Sequence, residues 1–159
     1  MSCRLFDYLC TMKSNSLNLQ DLVVIYEDNH LIAVNKPAGI LVHGDETGDL
    51  TLVDQVKMYI KIRYEKPGDV FLGVIHRLDR PVSGVVIFGR TSKALTRMNE
   101  LLKNQMISKR YWAIVSTRPE DLSARLTHFL VKDPAKNIVK AYASKKPGTK
   151  ESILDYDVK

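Results

Sequence analysis

Two apolar runs, residues 22–26 and 31–35, stand on either side of the polar string Glu27-Asp28-Asn29-His30. Strand-like runs this short, joined by four residues of turn chemistry, fold back on each other as a hairpin. The same grammar recurs along the chain. Lys36-Pro37-Ala38-Gly39 reads as a turn, because proline fixes one φ and glycine permits the next. Residues 40–42 then resume an extended path and the polar stretch 43–49 is a loop. Residues 70–75 and 85–88 read as buried strands around a loop at 76–84, and residues 111–115, 124–131, 138–143 and 153–158 are further strand candidates.

Helical period intrudes twice. From residue 50 onward Leu52, Val53, Val56 and Ile60 share one helical face while Lys57 and Lys61 fall elsewhere, and Lys66-Pro67-Gly68-Asp69 closes the segment. Thr91 suits the N-cap of a second helix whose apolar face is Ala94, Leu95, Met98, Leu101 and Leu102. Strands outnumber helices and several are joined by hairpin-length turns. The expected fold is therefore α+β, a mixed, mainly antiparallel sheet with flanking helices. Residues 1–20 show no clear period and read as a flexible leader, with residues 21–159 as one domain.

A chain of 159 residues can bury roughly 70% of its unfolded surface, so it needs no disulfide or metal staple. Its apolar runs are far shorter than the ~20 residues of a membrane span. Asp7 interrupts the only apolar stretch of the N-terminus, which denies it a secretory h-region. Cys3 and Cys10 both lie in the leader without metal-ligand company, which suits a reducing, cytoplasmic setting. The formal charge of +6 favours an anionic partner, although a merely basic soluble protein explains composition equally well.

The stretch from Gly73 to Gly84 carries the chemistry. It sets Asp79 between Arg77 and Arg80 in a loop bounded by two apolar strands, which hold a loop rigidly. Neighbouring guanidinium groups favour an ionised carboxylate, and an ionised carboxylate is a nucleophile. A turn cap or a surface ion pair would use the same residues, so the loop by itself leaves both readings open.

Three blocks in order carry a resemblance. His76-Arg77-Leu78-Asp79-Arg80 with Ser83-Gly84 is similar to the H-R-L-D-x-x-[ST]-G signature of RluA-type RNA pseudouridine synthases. Asn35-Lys36-Pro37-Ala38-Gly39-Ile40-Leu41-Val42-His43 resembles the family's earlier [DN]-K-P-x-G-x-x-V-H block, and Lys109-Arg110-Tyr111-Trp112-Ala113-Ile114-Val115 its later K-x-Y-x-A-x-V block. Residues 116–159 resemble the family only loosely.

The resemblance implies an isomerase that detaches uracil from ribose in ribosomal or transfer RNA, rotates it and reattaches it through carbon 5, without metal or cofactor. Asp79 would start the reaction, by adding to the sugar or the base or by taking the 2′ proton. A single carboxylate suits an isomerisation, whereas glycoside hydrolysis places two about the bond to activate water. Tyr111 matches the family's active-site tyrosine, whose ring can stack on an extruded base. Arg77 matches the arginine that fills the space of the flipped nucleotide. With Arg80 and Lys109 it makes the candidate RNA contact, alongside the basic positions Lys93, Arg97, Lys103 and Arg110. His43 and His76 are expected to bond backbone rather than serve as an acid–base pair, and Lys36-Pro37 to shape the turn.

Two rivals are weighed. A protein kinase would need the order H-R-D-L, a glycine-rich loop and D-F-G, none of which is present. A non-catalytic RNA-binding module would keep the basic surface and Tyr111, but intact Asp79 favours an enzyme. The family also carries a later T-G-R-x-H-Q block, whose arginine pairs with the catalytic aspartate. That block is not found here, and residues 153–158 end in mid-alternation. The expectation is a monomeric enzyme when complete, and little activity from these residues alone.

Overall fold

A computed structural model describes residues 22–44, 48–134 and 138–159. The leader, both cysteines and positions 45–47 of the expected polar loop lie outside the described residues. The chain divides into two units, Met1–Lys109 and Arg110–Lys159.

In the first unit β1 (Val23–Glu27) and β2 (Leu31–Lys36) form the hairpin read from the sequence, with Val24 opposite Val34 and Glu27 opposite Ile32. Asp28 sets the turn. Its carboxylate accepts the backbone N–H groups of His30 at 2.7 Å and Leu31 at 2.6 Å, and the Tyr26 hydroxyl at 2.8 Å. These donors, the Leu31 amide foremost, hold the Asp28 carboxyl below the usual carboxylate range. β3 (Gly73–Val74) and β4 (Gly84–Gly89) complete a four-stranded antiparallel sheet in the order β1-β2-β4-β3. Ile32, Ala33 and Val34 are buried in succession, so β2 is covered on both faces.

The first helix, α1 (Leu52–Arg63), starts at Thr51 with a capping box. The Thr51 hydroxyl accepts the Asp54 amide, and the Asp54 carboxylate accepts the Thr51 amide at 3.0 Å. Two further N–H groups of its first turn, those of Leu52 and Val53, donate to Leu41 and Val42 carbonyls at 2.8 and 3.1 Å. The extended segment after the Lys-Pro turn is thereby docked on the start of α1. The four apolar positions read as one face, Leu52, Val53, Val56 and Ile60, are all buried, and they join Ile32, Val34, Val86 and Phe88 in the core. At the other end of the sheet the Glu27 carboxylate accepts the Tyr59 and Tyr64 hydroxyls at 3.0 and 2.9 Å and pairs with Arg90 at 3.0 Å.

The second helix, α2 (Ser92–Lys103), is capped by Thr91 as expected, its hydroxyl accepting the Ala94 amide at 3.1 Å. It lies so close to the sheet that a Cβ added at Gly73 would meet Leu95 Cδ2 at 2.7 Å. The buried strand expected over residues 70–75 shortens to two paired residues, yet Val70, Leu72 and Ile75 remain buried around it.

The second unit is an antiparallel sheet ordered β6-β5-β7, made of β5 (Ser123–Asp133), β6 (Ile138–Tyr142) and β7 (Lys150–Asp157). The last strand begins earlier than its apolar alternation, because Lys150 and Glu151 find ladder partners in Leu130 and Phe129. Residues 111–115 differ from expectation: they carry the apolar spacing of a strand but no ladder. Spacing permits a strand, but a paired neighbour makes one. Trp112 and Ile114 stand fully or largely exposed there.

Candidate active site

The loop between β3 and β4 is mostly exposed, with two apolar anchors. Ile75 and Leu78 turn toward the core, while Arg77 and Asp79 are exposed. The Asp79 carbonyl accepts the Val82 amide at 3.0 Å, which closes a tight turn immediately after the carboxylate. The chain re-enters β4 at Gly84 with φ of +141°, a conformation that side-chain-bearing residues rarely adopt.

The turn at residues 36–39 clamps this loop from below. The Gly39 amide donates to the Arg80 carbonyl at 2.7 Å, and Arg80 Nε returns a bond to the Gly39 carbonyl at 3.0 Å. Lys36 continues the inward positions of β2 and is fully buried. Its Nζ donates to the carbonyls of Pro37 at 3.0 Å, Ile40 at 2.8 Å and Arg80 at 3.2 Å. Burial pulls the Lys36 ammonium below the usual lysine range, and attraction to Asp79 partly offsets this.

Adjacency in sequence is a poor guide to the ionic partners of this loop. Arg80 turns its guanidinium away to Asp49, at 3.0 Å, as well as to Gly39. Among the described residues neither Arg77 nor Asp79 enters an ion pair, which leaves Arg77 uncommitted. Lys36 was expected only to shape its turn. The signal for more was its place in the Ile32, Val34, Lys36 alternation, where a lysine must carry its charge inside.

His76 is half-buried, and its Nε2 accepts the Ile87 amide at 3.2 Å, so both it and His43, whose Nδ1 meets the Gly44 carbonyl at 3.3 Å, contact backbone. Burial first, and then the Lys109 ammonium, lower the proton affinity of His76. The first unit carries Arg77, Asp79, Arg80 and Lys109. Tyr111 lies in the second unit, with 60% of its surface exposed. Among the described residues no group of three His, Cys, Asp or Glu could hold a metal ion, and no helix is long and apolar enough to cross a membrane.

The pattern of a family described as RNA pseudouridylate synthase matches residues 30–158. Ribosomal large subunit pseudouridine synthase C of Buchnera aphidicola subsp. Baizongia pistaciae is 31% identical over 140 residues, 86% of this chain and 41% of the relative. The Buchnera aphidicola subsp. Acyrthosiphon pisum protein of the same name is 33% identical over 146 residues, 88% of this chain and 44% of its own length. The chain thus spans less than half the length of these relatives. Among solved structures, Human RNA Pseudouridylate Synthase Domain Containing 4 superimposes with a TM-score of 0.70 at 20% identity, over 85% of this chain and 52% of that one. That likeness bears on the fold, which it places among pseudouridylate synthase domains. The sequence matches bear on descent: this chain belongs to the RNA pseudouridylate synthase family.

Proposed function

We propose that these residues supply the catalytic carboxylate, Asp79, of an enzyme that isomerises uridine to pseudouridine in RNA. The observation that carries this is Asp79 itself, an exposed carboxylate at the apex of a loop braced by a buried ammonium and by paired backbone bonds. A group that must meet its target within a fraction of an ångström needs such bracing, since displacement by about 1 Å can cost ~100-fold in rate.

Ribosomal RNA is the substrate class, in keeping with the names of the relatives. Arg77, exposed and without an ion pair among the described residues, takes the space of an extruded base. Lys109 adds phosphate affinity, and Arg80 adds charge from a tethered position. Tyr111 supplies a stacking face and a hydroxyl near carbon 5. The reading takes a single copy of the protein as the acting unit in the cytoplasm, with no metal or organic cofactor. Tritium release from ribosomal RNA labelled at carbon 5 of uridine tests it. Release that depends on Asp79 supports the proposal, and release indifferent to Asp79→Asn refutes it.

A further inference from the structure

We propose that His76 is a positioning residue for Asp79: its ring takes the place of the next ladder residue of β3, receives the Ile87 amide, and fixes where the strand ends and the Asp79 loop begins. The ladder geometry stands by itself, while its meaning for catalysis rests on the function proposed above.

The register shows the substitution. Gly73 pairs with Gly89 and Val74 with Phe88, so one more step would set residue 75 opposite Ile87. The pairing stops instead, and Ile87 N–H is taken by His76 Nε2 at 3.2 Å. Ile87 is itself half-buried, between the fully buried Val86 and Phe88, so its amide gains from an acceptor within the protein. A side chain acting as acceptor frees the backbone of residues 75–79 from the ladder while still tying it to β4. Asp79 follows three residues later.

This use of the ring dictates its chemistry. Imidazole offers an acceptor only in its neutral form, here with the proton on Nδ1, so the Nε2 lone pair is committed and is not a catalytic base. Protonation would set N–H against N–H. The surroundings oppose that: burial and the Lys109 ammonium both disfavour the second proton. β4 faces the ring with no ionisable side chain, and β3 has none. Within its own loop Arg77, Asp79 and Arg80 are the charged groups. A histidine whose proton affinity is lowered in the folded state contributes stability above its unfolded value. That contribution is lost as pH falls through the folded value, so the acid side is where the loop should release.

The test is amide hydrogen exchange and ring nitrogen NMR on the 159-residue chain, from about pH 5 to about pH 8, with His76→Gln and His76→Phe. Glutamine keeps an acceptor at similar reach that does not titrate; phenylalanine keeps a ring without one. The expected result is an Nδ1–H tautomer, and Ile87 protection that falls about tenfold with ring protonation in the native chain, the loss of one hydrogen bond. That protection should be independent of pH in His76→Gln, and lost at every pH in His76→Phe while Val34 stays protected. A proton on Nε2 in the neutral ring, or Ile87 protection that ignores ring protonation, overturns the proposal. Should His76→Phe fail to fold, the native titration and His76→Gln decide alone. None of these readings requires turnover, so a failure of the proposed activity leaves them intact. In a turning-over enzyme His76→Gln should flatten the acid limb of kcat with KM unchanged, and an unaltered acid limb would remove the role in catalysis.

Discussion

Replacing Lys36 by methionine keeps the length of the buried side chain and removes its three donated bonds. The Arg80 carbonyl retains the Gly39 amide as a donor, but the bonds to Pro37 and to Ile40, the latter buried, are lost outright. A hydrogen bond from a charged group contributes about 1.5–3 kcal/mol and an orphaned buried acceptor costs about 1–3 kcal/mol. Against this, methionine spares the ammonium its desolvation, a penalty of several kcal/mol whose direction is visible in the lowered proton affinity of Lys36. The losses outweigh the gain, and the expected net destabilisation is about 2–3 kcal/mol, the upper part of the usual range for one substitution. For a chain of 159 residues that lowers Tm by about 4–12 °C. Thermal unfolding of Lys36→Met followed by circular dichroism is the assay. A Tm within about 2 °C of the native chain would refute the claim that Lys36 holds the Asp79 loop to the Lys-Pro turn.

Three further outcomes follow from the same geometry. Arg77→Ala should impair structured RNA more than unstructured RNA, because base extrusion costs a few kcal/mol only where the base is stacked; equal loss on both, measured as kcat/KM, would make Arg77 a plain phosphate contact. Tyr111→Phe keeps the stacking face and loses the hydroxyl, so RNA affinity by filter binding should hold while product formation falls, and unchanged turnover would remove the hydroxyl from the mechanism. Gly73→Ala sets a methyl 2.7 Å from Leu95 Cδ2, and denaturant unfolding should show a destabilisation of about 1–3 kcal/mol.

How much of this was legible in the sequence depended on the range of the interaction. The β1–β2 hairpin could be read because Asp28 bonds residues two and three positions away. The helices could be read because cap and apolar face lie within a few turns, as Thr91 and Ala94 show. Residues 111–115 misled because alternation is local and pairing is not. At the site, Arg77 and Arg80 looked like the partners of Asp79 because they adjoin it. The contacts with Asp49 and Gly39 commit Arg80 elsewhere. Lys36 lies 44 positions from the carbonyl it holds, at Arg80; the strand alternation marks its burial but not its partner. The role of Asp79 rested on three blocks of resemblance, since an aspartate between arginines has many uses.

The most direct test is tritium release by a chimaera in which residues 30–158, the span of the family match, replace the matching segment of a ribosomal large subunit pseudouridine synthase C. The account predicts release from ribosomal RNA labelled at carbon 5 of uridine, abolished by Asp79→Asn with RNA binding retained. Release that persists in Asp79→Asn, or a folded, RNA-binding chimaera that releases nothing with Asp79 in place, would contradict it.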